Sequence, residues 1–221
     1  MPLTINESPE VCLELRFPDL NDAIQRDSLD GKTGLSTWDA SICLAQFLSL
    51  PKSRQGILKG KHILELGAGT GVVGISSACL GVSSVQLTDL SYALDNLRRN
   101  VELNANANNL LNMDIVSVRE LDWNNPDTYS SISTGPVDVI FASDVAWLEH
   151  LVTPLANTIT SLIRSTGAVM YLSHQTRSTG VDDALFGALA ELSIEEIPQS
   201  EYHPEYSSDK IKIFRLAPKD L

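Results

Sequence analysis

From His62 to the end of the chain, short apolar runs alternate with longer stretches of helical periodicity, and this alternation constrains the fold more than any other feature. His62–Leu66 reads as a strand and Val72–Leu80 as a helix, with Gly81 as its C-terminal stop. Val85–Asp89 is the next strand, followed by a helix from Tyr92 to Asn104 and a short strand over Ile115–Val118. Val137–Ala142 is an apolar run of the kind buried on both faces of a parallel sheet. Thr153-Pro154 predicts a helix start, with threonine as N-cap and proline at the first helical position, running to Ile163. A strand over Ala168–Ser173, a helix over Val181–Leu192 and strands over Ile194–Pro198 and Ile211–Leu216 complete the pattern. Repeated strand–helix alternation implies an α/β fold, mostly parallel, with helices on both faces of the sheet. No helical pattern occupies Gln199–Asp209, so the last two strands are expected to be antiparallel neighbours.

Ahead of this region, residues 1–36 are polar and mixed, with a strand pattern at Val11–Phe17 and a turn at Asp30–Gly34. Trp38, Ile42, Ala45 and Leu48 recur at helical spacing, and Pro51 ends that helix. The division expected is an N-terminal extension, 1–36, packed on a core domain, 37–221. A chain of 221 residues is long enough for such a core.

The charge balance narrows the partners. With 28 acidic and 16 basic residues the formal charge is −12, and no Lys/Arg-rich run interrupts it. Such a surface repels phosphate backbones, so nucleic acid is not expected; a basic protein segment or a cationic cofactor is favoured. Cys12, Cys43 and Cys79 give neither an even disulfide framework nor a C-x-x-C pair, which suits a reducing compartment. His62, His150, His174 and His203 lack metal-ligand spacing, so no metal is expected. Met1–Cys12 has no apolar signal-peptide core, and no apolar run approaches the ~20 residues of a membrane span.

The loop Glu65-Leu66-Gly67-Ala68-Gly69-Thr70-Gly71 is the main candidate site, because open α/β sheets bind ligands beyond the carboxyl ends of their strands. Gly69-x-Gly71-x-x-Gly74 fits a dinucleotide fingerprint, with Asp89 at a suitable distance. Gly67-x-Gly69-x-Gly71, two residues after Glu65, fits an S-adenosylmethionine loop better. That reading puts Glu65 at the strand's end, where it orients the loop or meets the cationic ligand, rather than inside a sheet where an unpaired carboxylate is costly. A ligand-free tight turn is the third reading. Asp89 suits the two ribose hydroxyls and disfavours a 2′-phosphate. Asp122-Trp123 stands where an adenine would lie against an indole, or where a tryptophan simply covers surface.

Taken together, Thr37-Trp38-Asp39-Ala40, Leu64–Gly71, Thr88-Asp89, Asp122-Trp123 and Ser143-Asp144-Val145-Ala146-Trp147 resemble, in this order, the seven-β-strand protein-lysine methyltransferases. From Glu196 to Ile213 the chain is most similar to the branch that acts on valosin-containing protein, beside the methyltransferase-like 21 group. The resemblance implies a Rossmann-like seven-stranded sheet with an antiparallel C-terminal strand, S-adenosyl-L-methionine as cofactor, and a lysine of a chaperone, AAA ATPase or elongation factor as target. It implies a monomer in the cytoplasm, or in cytoplasm and nucleus. By position it places Gly67, Ala68 and Gly69 around the methionine moiety, with Glu65 beside them. Asp89 falls on the ribose, and Asp122 and Trp123 on the adenine. Trp38 packs near the cofactor and Ser143 on its inner wall. Asp144 and Trp147 occupy the family's acidic-x-x-aromatic motif at the target lysine. Two departures bear on the substrate: Trp147 stands where Tyr or Phe is usual, and Ser143 where alanine is frequent. In this reading Asp144 anchors the incoming ammonium, and an aromatic pocket favours the neutral amine. His174–Arg177 is read as an exposed loop in preference to a partner grip. A small-molecule N- or O-methyltransferase, a non-catalytic S-adenosylmethionine-binding protein and a nicotinamide dehydrogenase are the competing functions.

Overall fold

The structure, a computed structural model, describes the secondary structure of residues 2–8 and 11–16 and, in detail, residues 34–107, 111–132 and 135–219. The first strands, β1 (Pro2–Ser8) and β2 (Val11–Arg16), form a separate antiparallel hairpin. The alternation in residues 2–16 announced only the second of them. Most of the turn expected at Asp30–Gly34 lies outside the described residues.

The main sheet begins after helix α1 (Asp39–Ser49), whose N-cap is Trp38 in extended backbone rather than a helical residue. Pro51 closes α1 and opens a short turn, Pro51–Ser53, that runs into a π-turn over Arg54–Leu58. Then follow β3 (His62–Leu66), α2 (Val72–Cys79), β4 (Ser84–Asp89), α3 (Ser91–Ala107), β5 (Val116–Glu120) and β6 (Val139–Ser143). The chain closes with α4 (Glu149–Thr166), β7 (Val169–Gln175), α5 (Thr179–Ala188), β8 (Leu192–Glu196) and β9 (Ile211–Pro218). The strand order is β5-β4-β3-β6-β7-β9-β8, and β9 alone runs against the others. β8 and β9 are antiparallel neighbours as expected, with β9 wedged between β7 and β8. Both edges carry charge, Arg119-Glu120 on β5 and Glu195-Glu196 on β8, which blunts edge-to-edge pairing.

Strand parity builds two cores. Ile63, Val85, Leu87, Val139 and Phe141 face α1, α2 and α3. Leu64, Leu66, Ile140, Ala142, Met170 and Leu172 face α4 and α5. Each central strand is therefore apolar on both faces, the cause of the continuous hydrophobic runs.

Two boundaries differ from expectation for identifiable reasons. Helix α4 starts at Glu149, not at Thr153-Pro154, and Pro154 lies inside it. Pro154 removes one backbone N–H there, and the helix turn holding it is packed on the sheet through Val152 and Leu155. Helix α5 ends at Ala188 instead of Leu192, because Leu192 opens β8 and pairs with Pro218. Among the described residues no helix is long and apolar enough to cross a membrane, and no cluster has metal-binding composition.

Candidate functional site

The loop between β3 and α2 is shaped by close approach. Gly67 has φ +60°, and a Cβ there would stand 2.8 Å from Val145 Cγ1 and 3.3 Å from Trp123 Cζ2. Only glycine meets both demands. The loop is tied down from beneath. Ala68 N–H donates to Thr88 O at 2.9 Å, and Asn100 Nδ2 donates to Thr70 O at 2.9 Å. Gly71 caps α2 without a side chain, so the helix needs an acceptor from elsewhere. Glu65 supplies it: its Oε2 accepts the N–H of Gly74, in the first turn of α2, at 2.8 Å.

Of the two roles expected for Glu65, that bond fits ordering of the loop–helix junction and not contact with the ligand. Sharing parity with Ile63, its side chain points under α2, is 1% exposed, and does not line the cleft. Burial pushes its carboxyl from 4.5 to about 8; the Gly74 N–H draws it down and nearby Asp89 pushes it further up. Gly74, the third glycine of the dinucleotide pattern, serves helix–sheet packing. A Cβ on it would lie 2.1 Å from Leu87 Cδ2 and 2.5 Å from Glu65 Oε2.

Asp89 ends β4 with both oxygens engaged on backbone. Oδ2 accepts from Gly69 N and Oδ1 from Leu90 N, each at 2.7 Å. Burial raises its pKa, and those two N–H groups partly offset the rise. Two N–H bonds leave further lone pairs on the carboxylate for a ligand. Above it passes the segment from Gly34, whose Cβ position lies 3.6 Å from each Asp89 oxygen. Thr37 Oγ1 and Thr70 Oγ1 meet at 3.1 Å and fasten this strap to the glycine loop.

These parts enclose a cleft of about 430 Å³, within the usual range for small-ligand sites. Trp38, Gly67, Ala68, Gly69, Asp89, Asp122, Trp123, Ser143, Asp144 and Trp147 all line it; of the residues assigned to the cofactor or the target lysine only Glu65 does not. Asp122 Oδ1 accepts from Asn124 N at 2.9 Å and shapes the turn that carries Trp123 over Gly67. Gly34, Ser36, Tyr92, Val145 and His150 also line the cleft and went unforeseen. Tyr92, three residues beyond Asp89 at the head of α3, was the one with a positional signal.

The chemistry of this lining fits an adenosyl sulfonium. A carboxylate suits ribose hydroxyls and an indole suits a purine face. Among the described lining residues none is Lys or Arg, which disfavours a cofactor carrying a 2′-phosphate.

A second, narrower pocket of about 120 Å³ adjoins the first and is lined by Trp38, Asp144, Trp147 and Arg177. Asp144 follows β6 with φ +53°, a left-handed conformation that aspartate tolerates better than most residues. Its N–H donates to Ser173 O at 2.8 Å. Its side chain is 3% exposed. Oδ2 accepts from an Arg177 guanidinium nitrogen, while Oδ1 is buried with no hydrogen-bond partner. The Arg177 guanidinium also lies 5.2 Å from the centre of the Trp38 ring. Arg177, read in the sequence as part of an exposed loop, is therefore a member of the site.

A profile described as lysine methyltransferase matches residues 18–191. Protein N-lysine methyltransferase METTL21A of Danio rerio is 36% identical over 161 residues, 72% of this chain and 69% of the relative. The METTL21A protein of Xenopus tropicalis is 34% identical over 163 residues, 73% of this chain and 70% of the relative. Among solved structures, the ribosomal protein L11 methylase of Lactobacillus delbrueckii subsp. bulgaricus superposes with a TM-score of 0.59. That match covers 98% of this chain and 99% of the other at 14% identity, a likeness of fold alone.

Proposed function

The chain belongs to the lysine methyltransferase family, and from that premise we propose that it transfers a methyl group from S-adenosylmethionine to a lysine side chain of a protein substrate. The observation that carries the reading is the shared wall of the two cavities. Trp38, Asp144 and Trp147 line both the wide cleft and the narrow pocket. A donor held in the first and an amine held in the second meet at that wall.

When bound, S-adenosylmethionine supplies a methyl group made electrophilic by its sulfonium. The chain's own residues do the rest by positioning. Gly67, Ala68 and Gly69 offer a floor free of bulky side chains, Asp89 receives hydroxyl protons, and Trp123 offers a flat apolar face. A free lysine has a pKa of about 10.4 and arrives charged. Asp144 Oδ1, buried and without a partner, is the atom that accepts an N–H of the arriving ammonium. The indoles of Trp38 and Trp147 give the pocket apolar faces that favour the neutral amine once its proton has passed to water. The narrow pocket admits a slender alkyl amine, which supports lysine over a bulky metabolite.

The test is incubation with tritiated S-adenosylmethionine and an extract of cells lacking the enzyme, with mass spectrometry of labelled bands. A band carrying N-methyl-lysine is the expected result. Label confined to a small metabolite, or donor binding with no transfer to anything, would overturn the proposal.

A further inference from the structure

Arg177 makes, inside the chain, both contacts that an incoming lysine needs: a charge-assisted hydrogen bond to the buried Asp144 carboxylate and the face of the Trp38 indole. We propose that Arg177 is a built-in occupant of the amine seat, which the target lysine must displace, and that it thereby selects docked protein lysines against free amines. The inference rests on the methyltransferase reading above.

The surroundings fix which part moves. Thr176 Oγ1 donates to Asp182 Oδ2 at 2.7 Å, and His174 Nε2 meets Asp182 Oδ1 at 2.7 Å. Those bonds hold the backbone on the N-terminal side of Arg177, and Ser178 caps α5 on the other. Release of the guanidinium is therefore a rotation of one long side chain, not the opening of a loop. Arg177 is 39% exposed and has water to rotate into; Asp144, at 3%, cannot follow it.

The unpartnered Oδ1 of Asp144 gives the exchange a path. Oδ1 is closed to solvent while Arg177 is in place, so an ammonium entering the narrow pocket takes the carboxylate as the guanidinium rotates out, and Oδ1 offers it a second acceptor. A free amine competes poorly with a guanidinium tethered beside the carboxylate, because the tether gives the guanidinium a high effective concentration. A lysine on a docked protein is itself tethered and meets Arg177 on equal terms. The selectivity arises from the tether alone.

The experiment titrates n-butylammonium chloride into wild type, R177A and R177K, followed by tryptophan fluorescence, since two of the three tryptophans line this pocket. Thermal midpoints establish that each variant is folded. R177A is expected to bind the probe more tightly by on the order of tenfold, with R177K close to wild type. R177A binding no better than wild type overturns the proposal, and so does R177K matching R177A. With tritiated donor present, R177A should also label n-butylamine faster than wild type does. Calorimetry of wild type with S-adenosylmethionine separates the two claims. Absence of heat there removes the methyltransferase reading, while the difference in probe affinity still decides the role of Arg177.

Discussion

Substituting Glu65 by glutamine tests the interior of the site through its dependence on pH. Glu65 is 1% exposed and bonded to the Gly74 N–H, and burial raises its carboxyl from 4.5 to about 8. In the native chain it is therefore mostly protonated at neutral pH, while in the unfolded chain it is ionised. Between those two values the native state binds one proton more than the unfolded state. Stability must then fall as pH rises through the window from 4.5 to about 8, and level off above it. From pH 5.5 to 7.5 the loss is roughly 3 kcal/mol, since one pH unit in the window is worth a little over ~1 kcal/mol. For a chain of this size that is a fall in Tm of roughly 5–10 °C. E65Q keeps an acceptor oxygen for Gly74 N–H and has no charge at any pH, so it lacks this slope. Asp89, also raised by burial, is present in both proteins and cancels to first order. Thermal unfolding of both proteins without donor, at pH 5.5, 6.5 and 7.5, should show the wild-type advantage shrinking by that amount. Two parallel curves would refute the argument, because Glu65 would then be ionised in the folded chain throughout.

Asp144→Asn should lower kcat by about 100-fold or more while changing donor affinity by less than about threefold; equal losses in transfer and calorimetric affinity would reassign Asp144 to loop structure. Asp89→Ala should weaken S-adenosylmethionine binding by on the order of tenfold or more, through loss of both the ligand acceptor and the Gly69 tether; an unchanged Kd would remove it from the ribose. Gly74→Ala should destabilise by about 1–3 kcal/mol, overpacking outweighing a helix-propensity gain of about 1 kcal/mol. A Tm that did not fall would mean α2 lifts from the sheet more freely than its contact with Leu87 allows.

The alternation of apolar runs made the parallel sheet legible, because strands buried on both faces have no polar side to disguise them. Asp89 and the glycine loop were legible for a local reason: a strand end, a turn and a helix start follow one another in sequence. The errors have a common source. Glu65 was read by its distance from the glycines, although counting by twos from Ile63 puts its side chain on the α2 face. Pro154 was read as a start because proline chemistry is local, whereas the packing of Val152 and Leu155 on the sheet is tertiary. The insertion of β9 between β7 and β8 and the pairing of Arg177 with Asp144 join segments far apart in the chain. No local pattern encodes either.

The topology explains why one edge of the sheet collects all this chemistry. β3, β4, β5, β6 and β7 are parallel, so the residues that follow them emerge on one side: Gly67 to Gly69, Asp89, Asp122 with Trp123, Asp144, and Arg177. The chain crosses from one flank of β3 to the other between β5 and β6, and the cleft opens at that switch. Residues before the crossing, together with the β3 loop, line the wide cleft, the donor side in the proposed function. Of the residues after it, Asp144, Trp147 and Arg177 line the narrow pocket, Ser143, Val145 and His150 the wide cleft alone, and Trp38 on the incoming strap lines both. Charge follows the same division: among the described residues carboxylates and no Lys or Arg line the wide cleft, while Arg177 lines the narrow pocket. Substitutions on the β4 and β5 loops should therefore alter donor affinity, and those at Asp144 and Arg177 amine selection. A change at Trp38 or Trp147, which line both cavities, should alter both together.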